Sequence, residues 1–216
     1  MDKLKQDEEL QEKREQMIER QLKNRGICDS KVLAAFRKVA REKFVPESLT
    51  TKAYEDHPLP IGYDQTISQP YIVAFMTECL ELKKTDRVLE IGTGSAYQTA
   101  ILAELVQEVY SIEIVEELHH TAGTRLDQLG YRNVNLKCGN GRDGWPEAAP
   151  FNKIIVAAAS LQIPSTLIEE LQEDGKIIMP LGADEQDLIL GRKENGVLVT
   201  KQLIPVRFVP LQTESS

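Results

Sequence analysis

The residues that could do chemistry begin at a glycine turn. Val88-Leu-Glu-Ile-Gly92-Thr93-Gly94-Ser-Ala96 reads as a strand, a tight turn and the start of a helix. Glycines at such a turn let the backbone pass close to a ligand, where a side chain would collide. The next strand, Val109-Tyr-Ser-Ile-Glu113, ends in a carboxylate 21 residues after Gly92. An acid at that place can accept hydrogen bonds from a ribose diol. Glu90 sits two residues before Gly92. A carboxylate there repels a pyrophosphate and suits a sulfonium or an ammonium. Tyr97 stands where a dinucleotide fingerprint needs a third small residue. Both observations favour S-adenosylmethionine, which carries two cationic groups and no phosphate, over NAD. The plainer alternative is a structural turn beside a solvated strand-end acid.

A second candidate lies upstream. Ser68 stands two residues before Pro70, in a segment that Pro58, Pro60 and Gly62 keep from regular helix. Pro70 is suited to open a helix reaching about Leu82. Backbone N–H groups at that N-terminus favour an anion. The Ser68 hydroxyl can donate to a carboxylate oxygen. By position alone, a helix cap at Ser68 or Gln69 is the commoner meaning of such a residue. The other chemically able residues form no constellation. Cys28, Cys79 and Cys138 lie far apart, which argues against disulfides or a zinc site and for free thiols in a reducing cytoplasm. His119 and His120 have no metal-ligand spacing and read as surface residues of a helix. No metal is expected.

The elements that must position these residues follow from periodicity. The first sixteen residues alternate in charge and read as a solvated helix or frayed end. Helical spacing appears at Met17, Ile18 and Leu22, and again at Val32, Leu33, Phe36 and Val39. Gly26 is placed as a C-cap, and Asp29 or Ser30 as an N-cap. From Arg87 onward, short apolar runs at 87–91, 108–114, 134–138, 153–158 and 176–180 predict strands. Helical patterns at 96–106, 116–129 and 164–173 lie between them. The order predicts a Rossmann-like, doubly wound, mostly parallel sheet. Strands at 187–193 and 197–207, joined only by Glu194-Asn195-Gly196, predict an antiparallel edge hairpin.

Length and charge bound the rest. At 216 residues the chain suits one domain. Its expected parts are N-terminal helices with a loop (1–82), a cofactor-binding core (83–186), and C-terminal strands with a tail (187–216). Hydrophobic residues make up 41%, enough for a core, but aromatics only 6%, so aliphatic side chains must fill most of it. A formal charge of −8 disfavours tracking a nucleic-acid backbone. Met1 to Lys13 lacks the apolar stretch of a signal peptide, and no run is long enough for a membrane span. A cytoplasmic monomer with neither nucleic acid nor membrane as partner is expected.

The longer motifs are more specific than the glycine turn. Glu90-Ile-Gly-Thr-Gly-Ser-Ala96 resembles motif I of class I methyltransferases. Leu59-Pro-Ile-Gly-Tyr-Asp-Gln-Thr-Ile-Ser-Gln-Pro-Tyr-Ile-Val73 resembles the signature loop of the protein-L-isoaspartate (D-aspartate) O-methyltransferase family. Arg41-Glu-Lys-Phe-Val-Pro46, Gly139-Asn-Gly141, Ala149-Pro-Phe-Asn-Lys-Ile-Ile-Val156 and Val206-Arg-Phe-Val-Pro-Leu211 are similar to further stretches of it, so the likeness runs from about residue 17 to 211. It implies methyl transfer from S-adenosylmethionine to the free carboxylate of L-isoaspartyl, and of D-aspartyl, residues in damaged proteins and peptides, a step that initiates repair. S-adenosylhomocysteine is the implied product. The implied cofactor residues are Thr66, Ile67, Glu90, Gly92, Thr93, Gly94, Glu113, Ile114, Asn140 and Gly141. Ser68 becomes the acceptor-positioning residue, with Val209 and Leu211 in a tail that pairs with the substrate's main chain.

Four positions depart from the family pattern. Asp64 replaces a glycine or small residue, which makes any positive φ there costly. Ala96 stands at the third glycine of motif I. Asn140 replaces an acid that accepts from the adenine amino group; its carbonyl oxygen can still accept, without charge assistance. Asn152 also replaces an aspartate. Among rivals, a methyltransferase acting on an exocyclic or amide nitrogen wants an aromatic clamp, and the corresponding place reads Ala157-Ala-Ala-Ser160. A cofactor-binding module without activity, and an NAD-dependent oxidoreductase, are the other two. Binding and transfer assays with an isoaspartyl peptide discriminate among them.

Overall fold

The computed structural model describes residues 2–212. Helix α1 (Asp2–Met17) continues through a π turn (Ile18–Leu22) and a 3-10 turn (Lys23–Arg25). It stops at Gly26, whose left-handed φ of 96° is the expected terminator. Asp29 then caps α2 (Ser30–Lys38), accepting from the amides of Lys31 at 2.7 Å and Val32 at 3.4 Å. The helically spaced residues Met17, Ile18, Leu22, Val32, Leu33, Phe36 and Val39 are all buried. Each is worth about 1.5–3 kcal/mol of burial. Phe36 and Phe44 both meet the ring of Tyr97 edge-on, with centroids 5.9 and 5.5 Å away. Tyr97 thereby pins the N-terminal helices to the core.

Two 3-10 turns (Arg41–Phe44 and Glu47–Lys52) lead into a feature the prolines concealed. Leu59–Gly62 (β1) and Gln65–Ile67 (β2) form a small antiparallel hairpin, with Leu59 opposite Ile67 and Gly62 opposite Gln65. Pro60 is tolerated because a two-stranded ribbon has only edge strands. The connecting residues, Tyr63 and Asp64, both have φ of 53°. Positive φ at both central positions is the pattern of a type I′ turn. The costly φ expected at Asp64 is therefore present, and aspartate is among the few side chains that visit this region routinely. Helix α3 (Pro70–Cys79) follows, with its proline in the first turn.

The core is a seven-stranded sheet with flanking helices. Its strands are β3 (Arg87–Ile91), β4 (Glu108–Glu113), β5 (Val134–Cys138), β6 (Phe151–Val156), β7 (Leu171–Gly182), β8 (Gln186–Glu194) and β9 (Val197–Val206). The order across the sheet is β5-β4-β3-β6-β7-β8-β9. Pairing is parallel from β5 to β7 and antiparallel from β7 to β9. Helices α4 (Tyr97–Leu105), α5 (Glu116–Gln128) and α6 (Ser165–Glu170) lie between strands. The Rossmann-like sheet and its antiparallel edge are thus as the periodicity predicts. Helix α6 is shorter than expected. The chain turns extended at Leu171, which is 1% exposed and pairs with Phe151. Burial in the sheet outweighs the helical pattern of 171–173. Among the described residues, no helix is long and apolar enough to cross a membrane.

Candidate active site

Strand β3 lies inside the sheet, and the chain leaves it toward β4 on one side while β6 flanks it on the other. That reversal is a topological switch point, where ligands bind beyond the carboxyl ends of the strands. A cavity of about 380 Å³ opens there. Its floor is the turn Gly92-Thr93-Gly94. Gly92 has a φ of 92°, and a methyl placed on it would meet Ala157 Cβ at 3.6 Å. The contact with Ala157, just past β6, is an ordinary one, so it is the left-handed backbone that favours glycine here.

Glu113 ends β4 in the cavity wall and is 5% exposed. One carboxylate oxygen accepts from the Gly94 amide at 2.7 Å and the other from the Val115 amide at 3.0 Å. A carboxylate has about four acceptor sites, so capacity remains for two hydroxyl donors. Ile114 and Gly141 complete this side. On the other side, Thr66, Ile67 and Ser68 descend from the β2 end of the hairpin. The structure thus brings the glycine turn, Glu113 and the serine loop around one space, although they come from three separate stretches.

Two sequence-derived candidates stand elsewhere. Glu90 does not reach the cavity. It is completely buried beneath the turn, where Thr99 and Ser111 donate to one oxygen at 2.5 and 2.6 Å. Burial, partly offset by these bonds, raises its carboxyl pKa to about 7. The strand-tip picture fails because this side chain turns toward Thr99 of α4 and is covered by it. Its role is to brace the turn: Ser111 also meets the Thr93 hydroxyl at 2.6 Å. Asn140 likewise stands outside the wall. Its side chain accepts from the Arg142 amide at 3.0 Å and shapes the short turn that carries Gly141 inward. The bulk of Tyr97 does not crowd the turn either, since its ring packs toward Phe36 and Phe44.

The cap reading of Ser68 is not what the geometry shows. Gln69 occupies the N-cap position of α3, and no side chain caps it. Gln69 instead donates to Asp56. The Ser68 carbonyl accepts from Arg41 Nη2 at 2.8 Å. The tail is held firmly. Gln186 brackets the backbone of Phe208 at 2.7 and 3.1 Å. The Val209 carbonyl and Leu211 amide pair with the Ala159 backbone at 2.8 and 2.7 Å. Val209 and Leu211 line the cavity, but these main-chain groups are already engaged. A second main chain would meet the opposite edge at Pro210, which offers a carbonyl and no N–H.

Sequence reasoning passed over several wall residues. Ala157 and Ala158 follow β6, and the signal for them was the strand order itself. Arg25 and Arg207 both line the cavity. They lie near opposite ends of the chain, and no local pattern announces them. Asn152, another departure, accepts from the Arg87 amide at 2.7 Å and so ties β6 to β3 below the site. Among the described residues, no group of three His, Cys, Asp or Glu is placed to hold a metal ion.

Comparisons with known proteins agree with this geometry. The family model described as protein-L-isoaspartate (D-aspartate) O-methyltransferase matches residues 12–216. A protein-L-isoaspartate O-methyltransferase from Opitutus terrae is 54% identical over 93% of this chain and 87% of its own length. A solved protein-L-isoaspartate O-methyltransferase superposes with a TM-score of 0.83 at 31% identity, covering 91% of this chain and 65% of that one. A second solved structure, from Plasmodium falciparum, is described as a beta-aspartate methyltransferase in complex with S-adenosyl-L-homocysteine. It superposes with a TM-score of 0.80 at 28% identity, over 91% of this chain and 96% of that one. With the sheet, the glycine turn and the serine loop in place, the chain belongs to the protein-L-isoaspartate (D-aspartate) O-methyltransferase family.

Proposed function

We propose that this chain methylates the free carboxylate of L-isoaspartyl residues, and of D-aspartyl residues, in damaged proteins and peptides, and so initiates their repair. The methyl donor is S-adenosylmethionine. The observation that carries the reading is that Ser68 shares one cavity with the Gly92–Gly94 turn and Glu113.

The residues fit the donor. Gly92 and Gly94 leave room for close approach, and Glu113 faces the space with acceptor capacity for a ribose diol. Thr66, Ile67, Thr93, Ile114 and Gly141 supply the remaining wall. Glu90 and Asn140 act from behind it, by fixing the turns. When bound, S-adenosylmethionine supplies an activated methyl group on a sulfonium. An acceptor carboxylate ordinarily loses its proton near about pH 4, so it is already ionised at neutral pH and needs no general base. The chain's own work is to align and to exclude water. Ser68 donates its hydroxyl to one carboxylate oxygen and orients the other; no acyl-enzyme is implied. The tail at Val209–Leu211 forms the wall along which the acceptor's main chain runs.

The acidic charge of −8 supports a partner other than nucleic acid. The three free cysteines, two of them exposed, suit a reducing cytoplasm. We assign the chain as a single-domain monomer, with 1–82, 83–186 and 187–216 contributing the acceptor loop, the donor pocket and the tail. The test is methyl transfer to one peptide in isoaspartyl and normal aspartyl forms. The isoaspartyl form is the expected acceptor, and equal methylation of both overturns the assignment. Ser68→Ala should lower transfer by about tenfold to a thousandfold and leave donor affinity within about threefold.

A further inference from the structure

Arg41 is completely buried and is the largest side chain so enclosed. A guanidinium in that position is costly unless its charge is met. Among the described residues it forms no ion pair. The neighbouring Glu42 is taken by Arg14 at 3.1 Å and by the Tyr54 hydroxyl. Arg41 instead holds two backbone carbonyls. Its Nε donates to Ala53 at 2.7 Å and its Nη2 to Ser68 at 2.8 Å. Its flat group lies 4.9 Å from the centroid of the Tyr97 ring, at the start of the helix that follows the glycine turn. Burial lowers its pKa only to about 10, so it stays cationic at neutral pH.

An apolar side chain would fill the space without burying a charge, but it would take this donor from the Ala53 and Ser68 carbonyls. What the fork achieves is a link between Ala53, the serine loop and the aromatic anchor of the donor half. We infer that Arg41 is a positioning residue for methyl transfer: it fixes the Ser68 peptide so that the hydroxyl faces the cavity. The inference rests on the assignment of Ser68 to the acceptor. Lysine at this position keeps the charge, but its single ammonium cannot reproduce the planar fork that reaches two carbonyls.

The test is a double-mutant cycle. Arg41→Lys, Ser68→Ala and the double variant are compared for kcat and KM on an isoaspartyl peptide, for S-adenosylmethionine affinity by calorimetry, and for thermal unfolding. Arg41→Lys should lower kcat/KM by about tenfold to a hundredfold, with donor affinity within about threefold. The double variant should be no worse than Ser68→Ala by more than about twofold, because the arginine acts through the serine. Losses that multiply, or an Arg41→Lys variant as active as the parent, overturn the inference while Ser68 keeps its role. A fully active Ser68→Ala variant overturns the Ser68 assignment itself. A merely structural arginine would lower thermal stability and donor affinity together. If Arg41→Lys does not fold, Arg41→Gln, which keeps donors without charge, takes its place. Failure of both to fold decides for a purely structural role.

Discussion

Glu113 accepts a hydrogen bond from the Gly94 amide at 2.7 Å, so the acid that ends β4 holds the turn that follows β3. The same carboxylate is proposed to receive a ribose diol. Glu113→Ala therefore loses both a ligand contact and a brace. S-adenosylmethionine affinity should fall by about 1–3 kcal/mol, the range for charge-assisted hydrogen bonds. Glu113→Gln keeps one acceptor oxygen and should lie between alanine and the parent. Calorimetry on the folded variants reads this directly. An unchanged dissociation constant in Glu113→Ala would remove Glu113 from the donor site.

Glu90 links the same turn to pH. Its carboxyl pKa rises from 4.5 to about 7 in the fold, chiefly through burial, and Glu113 adds repulsion. The sign follows from proton counts. Between pH 4.5 and 7 the folded chain holds a proton on Glu90 that the unfolded chain has released. Stability must then fall as pH rises through that window, by up to about 1.4 kcal/mol per unit and about 3 kcal/mol in all. Glu90→Gln can still accept from Thr99 and Ser111 but cannot ionise. Urea unfolding at about pH 5, 6, 7 and 8 should show a flatter profile for Glu90→Gln than for the parent. Parallel profiles would mean that Glu90 is ionised in the fold throughout.

Sequence and structure agree most closely where one local pattern decides the outcome. Gly26 and Asp29 act as caps because their backbone and side-chain chemistry is local. The Asn195-Gly196 turn joins β8 to β9 with φ of 53° and 76°, which those residues favour. Strand β3 and its glycine turn were legible for the same reason. Reasoning failed where a neighbour distant in sequence decided. Glu90 reads from the sequence as a strand-tip acid facing a cationic ligand because nothing local says that Thr99 and Ser111 will close over it. Tyr97 looked obstructive because Phe36 and Phe44, which take its ring, precede it by some fifty residues or more. The role of Ser68 came from the resemblance of its loop, since position alone favoured a cap.

The hairpin turn offers a stability test. Asp64 and Tyr63 are both exposed, and each adopts a φ of 53°. Glycine reaches this region without the Cβ clash, and no packing is lost at an exposed tip. The gain is reduced because glycine also frees the unfolded chain. Asp64→Gly should stabilise the fold by a net of about 0.5 kcal/mol, and Tyr63→Gly by about 1 kcal/mol, since tyrosine tolerates the left-handed region less well. Denaturant midpoints measure both. A destabilised Tyr63→Gly variant would show that the exposed ring, 55% accessible, makes contacts that outweigh its strain.

The cavity carries cations that the sequence did not announce, and they predict a preference among acceptors. Arg25 lies 3.5 Å from the centroid of Tyr71 and is held by Asp56 at 3.1 Å. Arg207 is exposed, and among the described residues it forms no ion pair. Arg25 is offset by Asp56 and Glu113 also lines the cavity, so Arg207 is the charge placed to discriminate between acceptor peptides by their flanking charge. An exposed ion pair is worth about 0.2–1 kcal/mol, or roughly 1.5- to 5-fold. An isoaspartyl peptide with a flanking glutamate should therefore exceed its lysine counterpart in kcat/KM by about twofold to tenfold at low salt. At about 1 M salt, where the screening length is about 3 Å, the ratio should approach one. Arg207→Glu should reverse the preference, and Arg25→Ala should weaken it without reversal, since Asp56 would be left unpaired beside the mouth. The measurement is kcat/KM for both peptides with each variant at two salt concentrations. If Arg207→Glu retains the parent ratio, or the ratio ignores salt, these arginines do not read the acceptor's charge, and any preference must come from other residues of the wall.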